Sequence, residues 1–106
     1  MVSPVDVLSE LYRVLLERKS AGGERSYVAS LYAKGVDAIL KKVGEEAGET
    51  IIAAKNADQA ALVHELADLW FHTLVLMAAK NVSLDDVTGE LARRFGRSGL
   101  DEKAAR

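Results

Sequence analysis

The sequence predicts an all-α fold: an antiparallel four-helix unit built on a central helical hairpin, assembling as a homo-oligomeric helical bundle. Three observations carry this. Apolar residues recur at helical spacing along most of the 106 residues, and no stretch shows a strong strand alternation. The single proline, Pro4, stands where a helix begins. About half the residues, 49%, are hydrophobic, which suits a modest core and argues against disorder.

The first helix opens with Ser3 as a hydroxyl cap, Pro4 at the first position and Asp6 three residues after the cap. Leu8, Leu11, Tyr12, Leu15 and Leu16 form its apolar stripe, and Gly22-Gly23 stop it. Residues 20–35, SAGGERSYVASLYAKG, read mostly as loop with one helical turn near 28–33. The second long helix runs from about Val36 to Lys55. The third covers roughly 58–80, because Asn56 and Asp58 are turn and cap residues and Asn81 can end it. Ser83-Leu-Asp-Asp86 opens the fourth as a capping box, with Leu84, Val87, Leu91 and Phe95 on one face; Gly96 and Gly99 end it. Residues 1–106 read as a single domain with a charged tail at 95–106.

Composition excludes several classes. There is no cysteine, so disulfides, thiolate nucleophiles and cysteine-bound zinc are ruled out. A formal net charge of -2 gives no basic stripe for nucleic acid. The N-terminal MVSPVDVLSE lacks a signal-peptide pattern, and the near-apolar stretch 69–79 is too short to span a bilayer. A cytoplasmic protein is the expectation, with neither nucleic acid nor membrane as partner.

The third helix is apolar nearly all round, and a helix of that kind needs cover on several sides. One small unit can barely supply it. The expected consequence is a subunit interface, most simply a homodimer.

Acids interrupt this apolar pattern. Glu46 and Glu49 share one face of the second long helix, and Glu65 and Asp68 one face of the third. Glu49 and Glu65 each lie eight residues from Ala57; Glu46 and Asp68 each lie eleven from it. A hairpin turning there sets the pairs at matched heights, ~12 Å and ~16–17 Å from the turn. Lys42 and His72 form the next level. Four converging carboxylates repel unless cations neutralise them, and their oxygens suit Mg²⁺, with Mn²⁺ as the alternative. Because Mg²⁺ commonly shares its sphere with phosphates, the pattern points to a phosphorylated ligand, with Lys41 and Lys42 as phosphate contacts and His72 as a further contact. Glu45 is available as a base or for a second ion. A carboxylate-bridged iron site would need Glu-x-x-His pairs, and neither His64 nor His72 has a glutamate three residues before it. Taken singly, each Glu pair is an ordinary solvated helix face. Trp70, Phe71, Leu74 and Met77 are most simply core or interface.

The two acidic pairs on adjacent helices resemble the all-α nucleoside-triphosphate pyrophosphatase (MazG-like) superfamily. More narrowly, SYVASLYAKG (26–35), KKVGEEAGETIIAAKN (41–56), ELADLWFHTLVLM (65–77) and VSLDDV (82–87) resemble the phosphoribosyl-ATP pyrophosphatase family of histidine biosynthesis. The resemblance spans roughly residues 5–95. It implies Mg²⁺-dependent hydrolysis of phosphoribosyl-ATP to phosphoribosyl-AMP and pyrophosphate, in an oligomer with sites near the subunit interface. By position it makes Glu46, Glu49, Glu65 and Asp68 metal ligands, and Glu45 the partner in the family's Glu-Glu pair. Water attacking between the α and β phosphates would be oriented by Glu45 or Glu49. Arg25, Lys34, Lys41 and Lys42 are the expected contacts for the remaining phosphates. Ser26 and Tyr27 belong to the segment that closes over the ribose-phosphate end. Some relatives carry a fused zinc cyclohydrolase, for which this chain is too short, so the stand-alone form is expected. Trp70 departs from the smaller aliphatic residue or tyrosine common at that place, which bears on packing. Two other readings remain: a pyrophosphohydrolase cleaving a house-cleaning nucleotide, and a non-catalytic helical dimerisation module.

Overall fold

A computed structural model of the chain describes residues 3–21 and 26–96, and among these every regular element is a helix. The helices are α1 (Pro4–Ala21), α2 (Tyr27–Lys34), α3 (Val36–Lys55), α4 (Gln59–Ala79) and α5 (Leu84–Arg93). The all-α expectation holds, but with five helices among the described residues in place of four. Gly22-Gly23, Arg25 and the tail from 97 onward, Gly99 included, lie outside the described residues.

The extra helix is α2, where the sequence suggested loop with a single turn. The Ser26 hydroxyl accepts from the Ala29 amide at 2.9 Å, and Val28 and Leu31 are buried. A cap and two anchored side chains hold two turns that would be too short to persist alone. Gly35, at φ 98°, ends α2 and starts α3 within one residue; that left-handed conformation is strained for any residue with a Cβ.

The other boundaries follow their local signals. Ser3 accepts from the Asp6 amide at 3.2 Å. The hairpin turn contains Ala57 at φ 56°, and Asp58 then caps α4 by accepting from Ala61. Asn81, at φ 60°, closes α4, where the Val82 amide reaches the Met77 carbonyl at 2.9 Å. Ser83 and Asp86 form the expected capping box. α5 stops at Arg93, short of Gly96.

The hairpin α3–α4 is the most extensively packed pair. Its end distant from the turn is closed by α1 and α2. Tyr12, Leu15, Val28, Leu31, Ile39, Leu74, Val75, Met77 and Ala78 form the core there. The Tyr12 hydroxyl donates to the Val82 carbonyl, Tyr32 to that of Leu15, and Lys19 to both Ala78 and Asn81. These bonds lock α1 across the hairpin's closed end.

Taken as a whole helix, α4 is long and apolar enough to cross a membrane by length and composition, which the shorter stretch 69–79 is not. Glu65, Asp68 and His72 fall within it, and α3 packs along it, as in a bundle helix.

Candidate functional site

The carboxylates meet where α3 and α4 run side by side between the turn and the closed end. Glu46, Glu49 and Glu65 each bring an oxygen to within 4.8 Å of the others. Glu65 also belongs to a second group of the same tightness with His64 and Asp68. The matched level Glu49–Glu65 is therefore realised. Asp68 instead gathers with Glu65 and His64, because consecutive levels of a helix pair rotate as well as rise.

The electrostatics are those of a site short of positive charge. Glu46 is buried, at 6% exposure, and among the described residues neither its Oε2 nor Oε2 of Glu65 has a hydrogen-bond partner. Lys42 supplies one cation on the far side, its Nζ 3.6 Å from Glu46 Oε1 and 3.4 Å from Glu45 Oε1. Glu49 is pushed above the usual carboxylate range, first by sharing a hydrogen bond with Glu65, then by the Glu65 charge, partial desolvation and Asp68, with Lys42 opposing. With every carboxylate ionised the buried oxygens are orphaned; a divalent cation would relieve them, and a proton on Glu49 would serve Glu65. The donor set is all oxygen, with one imidazole at its rim, and it fits a hard ion such as Mg²⁺ or Mn²⁺.

Lys42 itself is held above the usual lysine range: partial burial opposes its charge, but the neighbouring Tyr27, Glu45 and Glu46 outweigh that. Glu45 stands outside the carboxylate cluster, half-exposed and turned to Lys42. Lys34 and Lys41 are exposed, Lys34 in the last turn of α2. Ser26 uses its hydroxyl as the α2 cap.

His72 is not at the solvent edge where a substrate contact would sit. It is 5% exposed; Nδ1 lies 2.7 Å from the Asp68 carbonyl and Nε2 2.7 Å from the Tyr27 hydroxyl. Both ring nitrogens of His72 are thus taken, by the Asp68 carbonyl and the Tyr27 hydroxyl.

Two residues escaped the sequence reading. Thr50 donates to the Glu46 carbonyl at 2.8 Å and across the hairpin to that of Glu65 at 3.3 Å, so it joins the two acidic helices at the site. His64 Nε2 lies 3.3 Å from Asp68 Oδ2 and 3.9 Å from Glu65 Oε1. Its spacing of four from Asp68 was the available signal; nothing in the sequence flagged Thr50.

Comparison with known proteins points the same way. The family model described as Phosphoribosyl-ATP pyrophosphohydrolase matches residues 8–95. A phosphoribosyl-ATP pyrophosphatase of Methylococcus capsulatus is 57% identical over 102 residues, covering 96% of this chain and 97% of its own. Proteins of the same name from Trichlorobacter lovleyi and Hydrogenovibrio crunogenus are 56% and 55% identical; the first covers 100% of this chain and 98% of its own, the second 95% and 93%.

Proposed function

This chain belongs to the phosphoribosyl-ATP pyrophosphohydrolase family, and we propose that its acidic cleft is where that hydrolysis takes place. It is a hydrolase that converts phosphoribosyl-ATP to phosphoribosyl-AMP and pyrophosphate, a step of histidine biosynthesis. The observation carrying the assignment to the cleft is the convergence of Glu46, Glu49 and Glu65 around two buried, partnerless carboxylate oxygens.

In this reading Glu46, Glu49, Glu65 and Asp68 hold Mg²⁺, with Mn²⁺ able to substitute. The ion's contribution is to neutralise the phosphate charge and lower the cost of activating water. The chain's residues do the remaining work. Glu49, which meets Glu65 across the hairpin, accepts the proton of the water that attacks between the α and β phosphates. Glu45 tethers Lys42 and serves as the second acid of the pair. Lys42, Lys41, Lys34 and Arg25 offer positive charge to the other phosphates, while Ser26 and Tyr27 border the ribose-phosphate end.

Residues 1–106 work as one domain in this reading, since the matched relatives are covered almost end to end. The enzyme works in the cytoplasm on a small nucleotide. A second copy covers the face of α4 bearing Val63 and Trp70, which are seven residues apart and 59% and 58% exposed. Beside Trp70, a cavity of about 440 Å³ runs between α1, α4 and α5, lined by Leu8, Leu74, Met77, Val87 and Leu91 among others.

The test is pyrophosphate release from phosphoribosyl-ATP with Mg²⁺ and with chelator, alongside dCTP and dUTP. Release confined to phosphoribosyl-ATP and abolished by chelator is expected. Faster turnover of a deoxynucleotide would move the substrate to the house-cleaning class, and no hydrolysis at all would leave a dimerisation module.

A further inference from the structure

We propose that His72 is a positioning residue: it fixes Tyr27, and with it the N-terminal end of α2, onto the turn of α4 that carries Asp68. The proposal rests on the cleft being the phosphoribosyl-ATP site.

The bonding leaves the imidazole one arrangement as a neutral ring. The Asp68 carbonyl can only accept, so Nδ1, 2.7 Å away, carries the hydrogen and donates it. Nε2 is then a bare acceptor, and the Tyr27 hydroxyl 2.7 Å away donates to it. This is the opposite of the Nε2–H form that a free imidazole favours, so the surroundings impose it. His72 is 5% exposed, which leaves little water to replace either partner.

Tyr27 gains most from the arrangement. It is 49% exposed and is the first residue of α2, so on its own its side chain would exchange rotamers freely. Instead its hydroxyl points inward. Its ring stacks on Phe71 at 6.5 Å and 26° and meets His72 edge-on at 5.6 Å, while Phe71 and His72 meet at 5.3 Å and 77°. Lys42, which reaches Glu45 and Glu46, lies within electrostatic range of Tyr27. One buried imidazole thus connects the acidic turn of α4 to the aromatic rim beside Lys42. The hydroxyl of Tyr27 is committed to this bridge, so the residue meets a ligand through its ring.

Substitution can separate the two halves of the bridge. In His72→Gln the amide can still accept from Tyr27; in His72→Asn the shorter amide can donate to Asp68 but cannot reach Tyr27. Tyr27→Phe removes the hydroxyl and keeps the ring. Tyr27→Phe and His72→Asn should each raise KM for phosphoribosyl-ATP about five- to tenfold, the weight of one hydrogen bond, and leave kcat and Mg²⁺ affinity within about twofold. The double variant should be no worse than either single one, and His72→Gln should recover most of the KM. A merely structural role would lower melting temperature without this pattern. Independently of activity, imidazole ¹⁵N shifts should report the Nδ1–H form of His72, with Nε2 moving in Tyr27→Phe. An Nε2–H tautomer, a KM unchanged in Tyr27→Phe, or multiplying effects in the double variant would each overturn the proposal. Loss of pyrophosphate release by the wild type would instead sink the underlying site assignment, and the ¹⁵N result would still judge the bridge.

Discussion

The two ends of the α3–α4 hairpin are finished differently. Away from the turn, Leu15, Ile39 and Val75 are at most 1% exposed beneath α1 and α2. Near the turn, Ile51 and Ile52 are each 61% exposed and Val63 is 59% exposed, and between the two ends lie the partnerless oxygens of Glu46 and Glu65. The closed end satisfies its own chemistry. The open part carries bare apolar surface and excess negative charge, both of which ask for something from outside the chain: a cation between the helices and, as proposed above, a second copy against α4. Stability is thus concentrated away from the acidic groups, which leaves the cleft free to hold charges that would weaken a core.

The contrast can be broken first at the closed end. Ile39→Ala should cost about 2–5 kcal/mol in denaturant unfolding, since Ile39 is a core residue and its removal leaves a cavity. Ile52→Ala should stay within about 0.5 kcal/mol. Equal costs would mean that the turn end is as well covered as the base. Next comes the cleft. Glu49→Gln and Asp68→Asn, made singly, should each reduce turnover at saturating Mg²⁺ about a hundredfold or more while the melting temperature barely falls. Wild-type turnover in either variant would remove that residue from the ligand set. If a second copy covers α4 as proposed, Trp70→Lys should weaken self-association at least about tenfold, read by sedimentation velocity across a dilution series; an unchanged profile would overturn that contact. Ser26→Ala should cost about 1 kcal/mol through loss of the α2 cap.

The smallest effect concerns pH. Glu49 holds its proton more tightly folded than unfolded, so its contribution to the metal-free protein is complete at low pH and is lost as pH rises through the raised value. Metal-free melting temperature should therefore fall across that window. Mg²⁺ should cancel the fall, and Glu49→Gln should abolish it. A metal-free melting temperature rising over the same window would show Glu49 to be stabilised as the anion.

Much of this was readable beforehand for a specific reason. Helix starts are encoded within four residues, as at Ser3, Asp58 and Ser83, and the turn at Ala57 fixes which acids lie level by rise alone. What failed depended on longer range. α2 read as loop because Ser26 is an effective cap only with Val28 and Leu31 buried. Levels give height and not rotation, so they do not tell that Tyr27, on another helix, bonds His72. Nor does the Glu-Glu motif tell that Glu45 pairs with Lys42.

The sequence by itself determined the helices, the hairpin and the acidic residues that such a hairpin must bring near one another, because periodicity, caps and rise are local properties of the chain. Only the tertiary structure decided which oxygens are buried without a partner, which imidazole is satisfied internally and which apolar faces stay bare. Those outcomes depend on the rotation of one helix against the next, and that is set by packing across the whole core.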